Sequence, residues 1–167
     1  VEAGDSYELR AKELHGTDIF LDEPSVTGTE NAILAAVLAE GTTTIRNAAS
    51  EPHVQDLCGF LVSLGARIDR IGTQILQIEG VSSLSGGNWR IGTDHIEVGS
   101  MIGLAAITES ELTIEGVEAE HFDPLRVGFE KLGVRGRLRD GELHLPADQE
   151  LEIQPDLGDQ IPTLGDG

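Results

Sequence analysis

Between Ser25 and Ala39, Ile33, Leu34, Val37 and Leu38 recur at helical spacing, which predicts a helix carrying all four on one face. Thr27 and Glu30 have the spacing of a capping box, and Gly41 stands where a helix C-terminus favours glycine. Residues 42–46, Thr-Thr-Thr-Ile-Arg, are β-branched and predict a strand. Ser50-Glu-Pro52 opens a second helix, with an apolar stripe through Val54, Leu57, Cys58, Leu61 and Leu64 and a stop at Gly65. Residues 66–71 and 74–79 flank Gly72-Thr73, which suits a hairpin turn, and residues 17–21 supply a strand ahead of the first helix.

The pattern then recurs. Asp94 and Glu97 form a second capping box, followed by Val98, Met101, Ile102, Ala105 and Ala106. Leu34-Ala-Ala36 matches Leu104-Ala-Ala106, Thr44-Ile45 matches Thr113-Ile114, and Leu64-Gly65 matches Leu132-Gly133. Two copies therefore run nearly in step. Asp140-Gly141 is a hairpin signal where Gly72-Thr73 stands in the first copy, and residues 88–91 would be the opening strand of the second. The expected fold is α+β, an α/β sandwich-like arrangement of two tandem βαβαββ units with right-handed parallel crossovers. The units span 13–87 and 88–145, with 82–87 as connector. Residues 1–12 are expected to be the tail of a preceding unit, and 146–167 an acidic connecting segment.

Composition narrows the function. The 167 residues carry 30 acidic and 11 basic side chains, a formal charge of −19, which argues against nucleic-acid and anionic-membrane binding. A small anion held by backbone N–H groups remains compatible. At 39% hydrophobic and 25% charged residues, the chain is globular. Its single cysteine excludes an internal disulfide and fits a reducing, cytoplasmic setting. No apolar run reaches the ~20 residues of a membrane span. The opening on Val1 and the loose ending at residues 160–167 read as a piece of a longer polypeptide.

The leading site candidate is the strand-to-helix turn Asp22-Glu-Pro-Ser-Val-Thr-Gly28. A helix N-terminus leaves amides unpaired and carries partial positive charge, so it holds phosphate without a basic side chain. Ser25 and Thr27 add hydroxyls, and Gly28 admits a close approach. The same residues serve equally as helix caps, the commoner use. Asp94 and Glu97 suit a cap, and Glu51 suits the dipole of the second helix. Cys58 lies on an apolar stripe and is expected to be a buried packing residue. His15, His53, His95, His121 and His144 show no metal-ligand spacing, so no metal or cofactor site is expected.

Ser25-Val-Thr-Gly-Thr-Glu-Asn31, Leu38-Ala-Glu-Gly-Thr42, Asn47-Ala-Ala-Ser-Glu-Pro52, Leu64-Gly-Ala66, Gly80-Val81 and Asp94-His-Ile-Glu-Val-Gly99 together resemble the UDP-N-acetylglucosamine enolpyruvyltransferase family. The resemblance is close from Thr17 to Gly116 and looser from Glu118 to Leu145. It implies transfer of the enolpyruvyl group of phosphoenolpyruvate to the 3-hydroxyl of UDP-N-acetylglucosamine, the first committed step of peptidoglycan synthesis. It also implies a six-unit enzyme in two domains, of which these would be the last unit of one and the first of the other. Ser25, Val26, Thr27 and Gly28 would then meet the UDP diphosphate.

Glu23 stands where the family often has lysine, and its charge opposes a diphosphate unless it turns away or pairs with Arg46 or another base. His95 replaces a family arginine and would be solvent-facing, a hinge contact or a substrate-side cation. A structural or hinge role is favoured for Asp94, His95 and Glu97, while the family places Glu51 near the cleft. The resemblance locates every catalytic group outside this chain, so the isolated chain is expected to be inactive and to self-associate through uncovered apolar faces. Alternative readings are another enolpyruvyl transferase of the 5-enolpyruvylshikimate-3-phosphate synthase type, or a non-catalytic paralogue binding a UDP-sugar or a protein.

Overall fold

The computed structural model describes residues 10–152, and the expected roles of residues 1–9 and 153–167 lie outside them. The chain divides into two compact units between Ile91 and Gly92. In the first, β1 (Asp18–Phe20), α1 (Val26–Ala36), β2 (Thr42–Arg46), α2 (Pro52–Ser63), β3 (Arg67–Asp69) and β4 (Ile75–Glu79) follow in order. Their sheet runs β1-β2-β4-β3, with β1 parallel to β2 and the other pairs antiparallel. Strand alternation sets the packing face: Thr43 and Ile45 of β2 point inward opposite Ile78 and Leu76 of β4. Ile33 and Val37 of the first helical stretch and Val54, Cys58 and Leu61 of α2 close over that face.

The second unit contains α3 (His95–Ile107), β5 (Leu112–Glu115), α4 (Ala119–Glu130), β6 (Arg137–Arg139) and β7 (Glu142–Leu145). Its sheet runs β5-β7-β6, all antiparallel. This repeats the order of the first sheet without a counterpart of β1. Val98, Ile102, Ala105, Phe122, Leu143 and Leu145 form its core. Asp140 and Gly141 join β6 to β7 with φ of 52° and 83°, the doubly positive geometry that a two-residue hairpin demands.

The α+β class and the repeat are thus present, with local corrections. Residues 88–91 form no strand. Trp89 instead lies against Gly59 and tilts toward the Phe60 ring at 6.4 Å, and its Nε1 donates to Asp56 Oδ1 at 3.0 Å, which ties the segment to α2. The expected single stripe on α1 is split: Ile33 and Val37 are buried, whereas Leu34 and Leu38 are about half exposed. The turn between β3 and β4 is longer than two residues, and left-handed backbone at Arg70 and Gly72 carries it round. Helix α1 starts one residue before Thr27, so Ser25, not Thr27, is its cap.

The entry to α1 is fixed by one buried side chain. Thr29, fully buried, donates its hydroxyl to Ser25 O at 2.7 Å and accepts from Ala49 N at 2.9 Å. Asn47, held at a φ of 56°, donates Nδ2 to Leu21 O at 2.9 Å. The β1–α1 turn is thereby clamped to the segment that follows β2.

Replacing Thr29 by Val keeps the shape but leaves the buried Ala49 N–H unpaired, at a cost of about 1–3 kcal/mol. Urea unfolding should show that loss, with Thr29→Ser costing less; equal stability of Thr29→Val and the parent would contradict the clamp. Cys58 is fully buried, and desolvation pushes its thiol from an ordinary 9.0 up to about 11. Between those values the folded chain holds the proton that the unfolded chain has lost, so stability falls as pH rises through that window. At pH ~8 a thiol reagent should react with Cys58 slowly, limited by unfolding. Rapid reaction of the native chain would contradict this packing.

Candidate functional site

Ser25 leaves β1 in extended conformation, with φ −73° and ψ 124°, and its Oγ accepts from Gly28 N at 3.1 Å. That bond satisfies one of the amides that a helix start leaves over. The Val26 and Thr27 amides at the same end have no hydrogen-bond partner among the described residues. Two adjacent N–H groups, backed by the positive end of the helix dipole, form a small donor pair suited to a phosphate oxygen. The Thr29 clamp holds their direction. Ser25 and Thr27 therefore divide the two roles open to them: Ser25 spends its hydroxyl on the cap, while the exposed Thr27 leaves its own hydroxyl and amide available.

Glu23 is exposed and does not pair with Arg46. Arg46 instead grips Asp18 through two parallel bonds, Nε to Oδ1 and Nη2 to Oδ2, each at 2.9 Å. This cross-strand pair lowers the Asp18 carboxyl below its usual range, chiefly through the hydrogen bond from Arg46. The guanidinium is thus committed to its neighbour on β1. The Glu23 carboxylate has no ion-pair partner among the described residues, and its backbone carbonyl accepts from Ser25 N at 2.7 Å.

Glu51 takes the cap position of α2 ahead of Pro52 but makes no side-chain cap bond. Its Oε2 is buried and has no hydrogen-bond partner among the described residues. In the second unit, Asp94 caps α3 through Oδ1, which accepts from Ile96 N at 2.9 Å and Glu97 N at 3.3 Å. The reciprocal bond from Glu97 that a capping box requires is absent among the described hydrogen bonds, so Glu97 acts only as an acid in the first turn. His95 lies at the start of α3, its ring 6.5 Å from that of His121.

Ser25, Val26, Thr27, Gly28 and Glu23 thus share one turn of the first unit, whereas Asp94, His95 and Glu97 share one helix start of the second. Sequence reasoning passed over Thr29 and Asn47, whose value lies in bonds to residues distant in the chain.

A family model described as EPSP synthase (3-phosphoshikimate 1-carboxyvinyltransferase) matches residues 3–147. The UDP-N-acetylglucosamine 1-carboxyvinyltransferase of Bradyrhizobium diazoefficiens is 54% identical over 166 residues, covering 99% of this chain and 38% of that protein. The protein of the same name from Treponema denticola is 52% identical, with 99% and 39% covered. The chain therefore spans well under half the length of these curated relatives. Among solved structures, the enolpyruvyl transferase NikO of Streptomyces tendae aligns with a TM-score of 0.70 at 24% identity, covering 81% of this chain and 36% of that one. EPSP synthase of Acinetobacter baumannii aligns with a TM-score of 0.58 at 21% identity, covering 84% and 33%. The two solved structures establish likeness of fold, and the family match takes in nearly all the described residues: the chain belongs to the EPSP synthase (3-phosphoshikimate 1-carboxyvinyltransferase) family.

Proposed function

We propose that this chain is part of a cytoplasmic enzyme that transfers the enolpyruvyl group of phosphoenolpyruvate to the 3-hydroxyl of UDP-N-acetylglucosamine, at the first committed step of peptidoglycan synthesis. The observation that carries this reading is the 54% identity, along the whole chain, to a protein named for that reaction. The turn at Ser25, Val26, Thr27 and Gly28 supports a specific share in it: the paired amides take the diphosphate of the UDP-sugar. An amide site suits a chain with 30 acidic and 11 basic residues, because it supplies attraction without needing a lysine.

In this reading Glu23 weakens the site it borders, and Glu51 stands at the start of α2 near the cleft. Asp94, His95 and Glu97 order the start of α3 and serve as structural or hinge residues. Enolpyruvyl transfer requires a proton donor for the vinyl carbon and cations for the phosphate. Those groups belong to parts of the parent protein outside this chain, and no cofactor is needed. The chain alone is then inactive. It self-associates through outward apolar side chains such as Leu34 and Leu38 on the first helical stretch and Ile96 and Leu104 on α3, which further units would cover.

Calorimetry on the parent protein tests the assignment. UDP-N-acetylglucosamine should bind, and Glu23→Lys should tighten it about tenfold by reversing a charge beside the diphosphate. Phosphate release from both substrates should occur in the parent and be absent from the 167-residue chain. Unchanged or weaker binding in Glu23→Lys would contradict the placement of the diphosphate. Failure of the parent to release phosphate would contradict the reaction.

A further inference from the structure

The segment that leaves the first unit is fastened firmly at one end and by a single side chain at the other. Gly80 N donates to Gly41 O and Val81 N to Val37 O, each at 2.9 Å, and Leu84 packs against the core. Ser85 then donates both its amide and its hydroxyl to Leu64 O, at 2.8 and 2.9 Å. Past Ser85 the character changes. Residues 86–91 belong to no strand or helix, are exposed throughout, and make no backbone hydrogen bond among the described residues. Gly86 has open space around it, so the chain can pivot there.

What holds this stretch is Trp89. Asp56, Gly59 and Phe60 lie at helical spacing on one face of α2. The indole donates Nε1 to Asp56 Oδ1 at 3.0 Å and tilts at 54° to the Phe60 ring. A Cβ on Gly59 would stand 2.9 Å from the indole Cη2, closer than carbon atoms approach, so the indole sits in a notch that only glycine leaves open. Glycine in the interior of a helix is unfavourable, and the seat for Trp89 is what offsets it here. The seat is shallow. Trp89 remains 41% exposed, and its bond to Asp56 faces water. An exposed hydrogen bond exchanges for water at little net cost. Ile91, two residues on, is 81% exposed and adds no hold.

We propose that Trp89 is a releasable latch. Seated on Gly59, it holds residues 86–91 along α2; unseated, it frees that stretch while α2 and the sheet stay folded. The opening is local because the fastenings at Leu84 and Ser85 lie ahead of the pivot at Gly86, so the core is untouched. The two states differ in how much unattached chain precedes Gly92, where the second unit begins. With the latch closed, only the residues after Trp89 are free; with it open, all of 86–91 is. One side chain thereby sets the reach of the chain between the two units.

Limited trypsin digestion reads the latch, because Arg90 is exposed and adjoins Trp89. A protease cleaves chain that is free to extend, so Trp89→Ala should raise the rate of cleavage after Arg90 about tenfold by raising the open population, with other sites unchanged. Gly59→Ala separates the latch from the fold. Its methyl meets the indole, so it should speed cleavage after Arg90 by a similar factor and shift the emission of Trp89, the only tryptophan, to the red. The same methyl favours the helix, so the urea midpoint followed by circular dichroism should hold or rise. Cleavage after Arg90 in both variants at the rate of the unsubstituted chain would overturn the proposal. A urea midpoint that falls in Gly59→Ala as cleavage speeds would overturn it too, since the stretch would then open only together with α2.

Discussion

Two hydrogen bonds meet at the hydroxyl of Thr29, and the geometry of the first unit depends on them. A hydroxyl inside an apolar core is costly unless both its donor and its acceptor capacity are used. Here the donor goes to Ser25 O within the first turn of α1, and the acceptor takes Ala49 N from the segment between β2 and α2. One atom thereby fixes the angle at which α1 leaves the sheet relative to the start of α2. Ser25 Oγ then occupies the Gly28 amide, which leaves the Val26 and Thr27 amides without a hydrogen-bond partner among the described residues. The apolar residues behind the clamp, Ile33, Ile45, Val54 and Ile78 among them, keep water from competing for it.

The same topology with different chemistry appears in the second unit. Its helix α3 also begins on a side-chain cap, but Asp94 covers two amides where Ser25 covers one, so less of the helix end is left for a ligand. A carboxylate at that position also repels an anion. The two helix starts thus differ: the first leaves amides over beside a serine cap, and the second is closed by a carboxylate. The charge of −19 is consistent with both. Anion recognition through amides needs no cationic side chain, and a carboxylate cap needs none either.

Much of this organisation was legible in the sequence because it is local. Gly41, Gly65 and Gly133, each with positive φ, marked chain reversals, and Asp140-Gly141 marked its hairpin. Thr42–Arg46 announced β2 by its β-branched run. Long-range competition was not legible. Residues 88–91 have the makings of a strand, but Trp89 gains more by lying on Gly59 and donating to Asp56 than by pairing. Leu34 and Leu38 belong to the apolar period of α1, yet only Ile33 and Val37 meet the sheet. Thr27 looked like the cap because of its spacing to Glu30. Ser25 took that role because the clamp through Thr29 holds its carbonyl one turn earlier. Arg46 looked available to Glu23, but the parallel register pairs it with Phe20 and sets Asp18 two residues away on the same face, within reach of the guanidinium.

An amide-resolved NMR titration of the isotope-labelled chain with UDP-N-acetylglucosamine reads the donor pair itself. If α1 presents its start to the diphosphate, the largest shifts fall on the Val26, Thr27 and Gly28 amides, and UDP reproduces them while N-acetylglucosamine does not. Those three resonances staying still while others move, or shifts as large with the sugar alone, would contradict a diphosphate site at this turn.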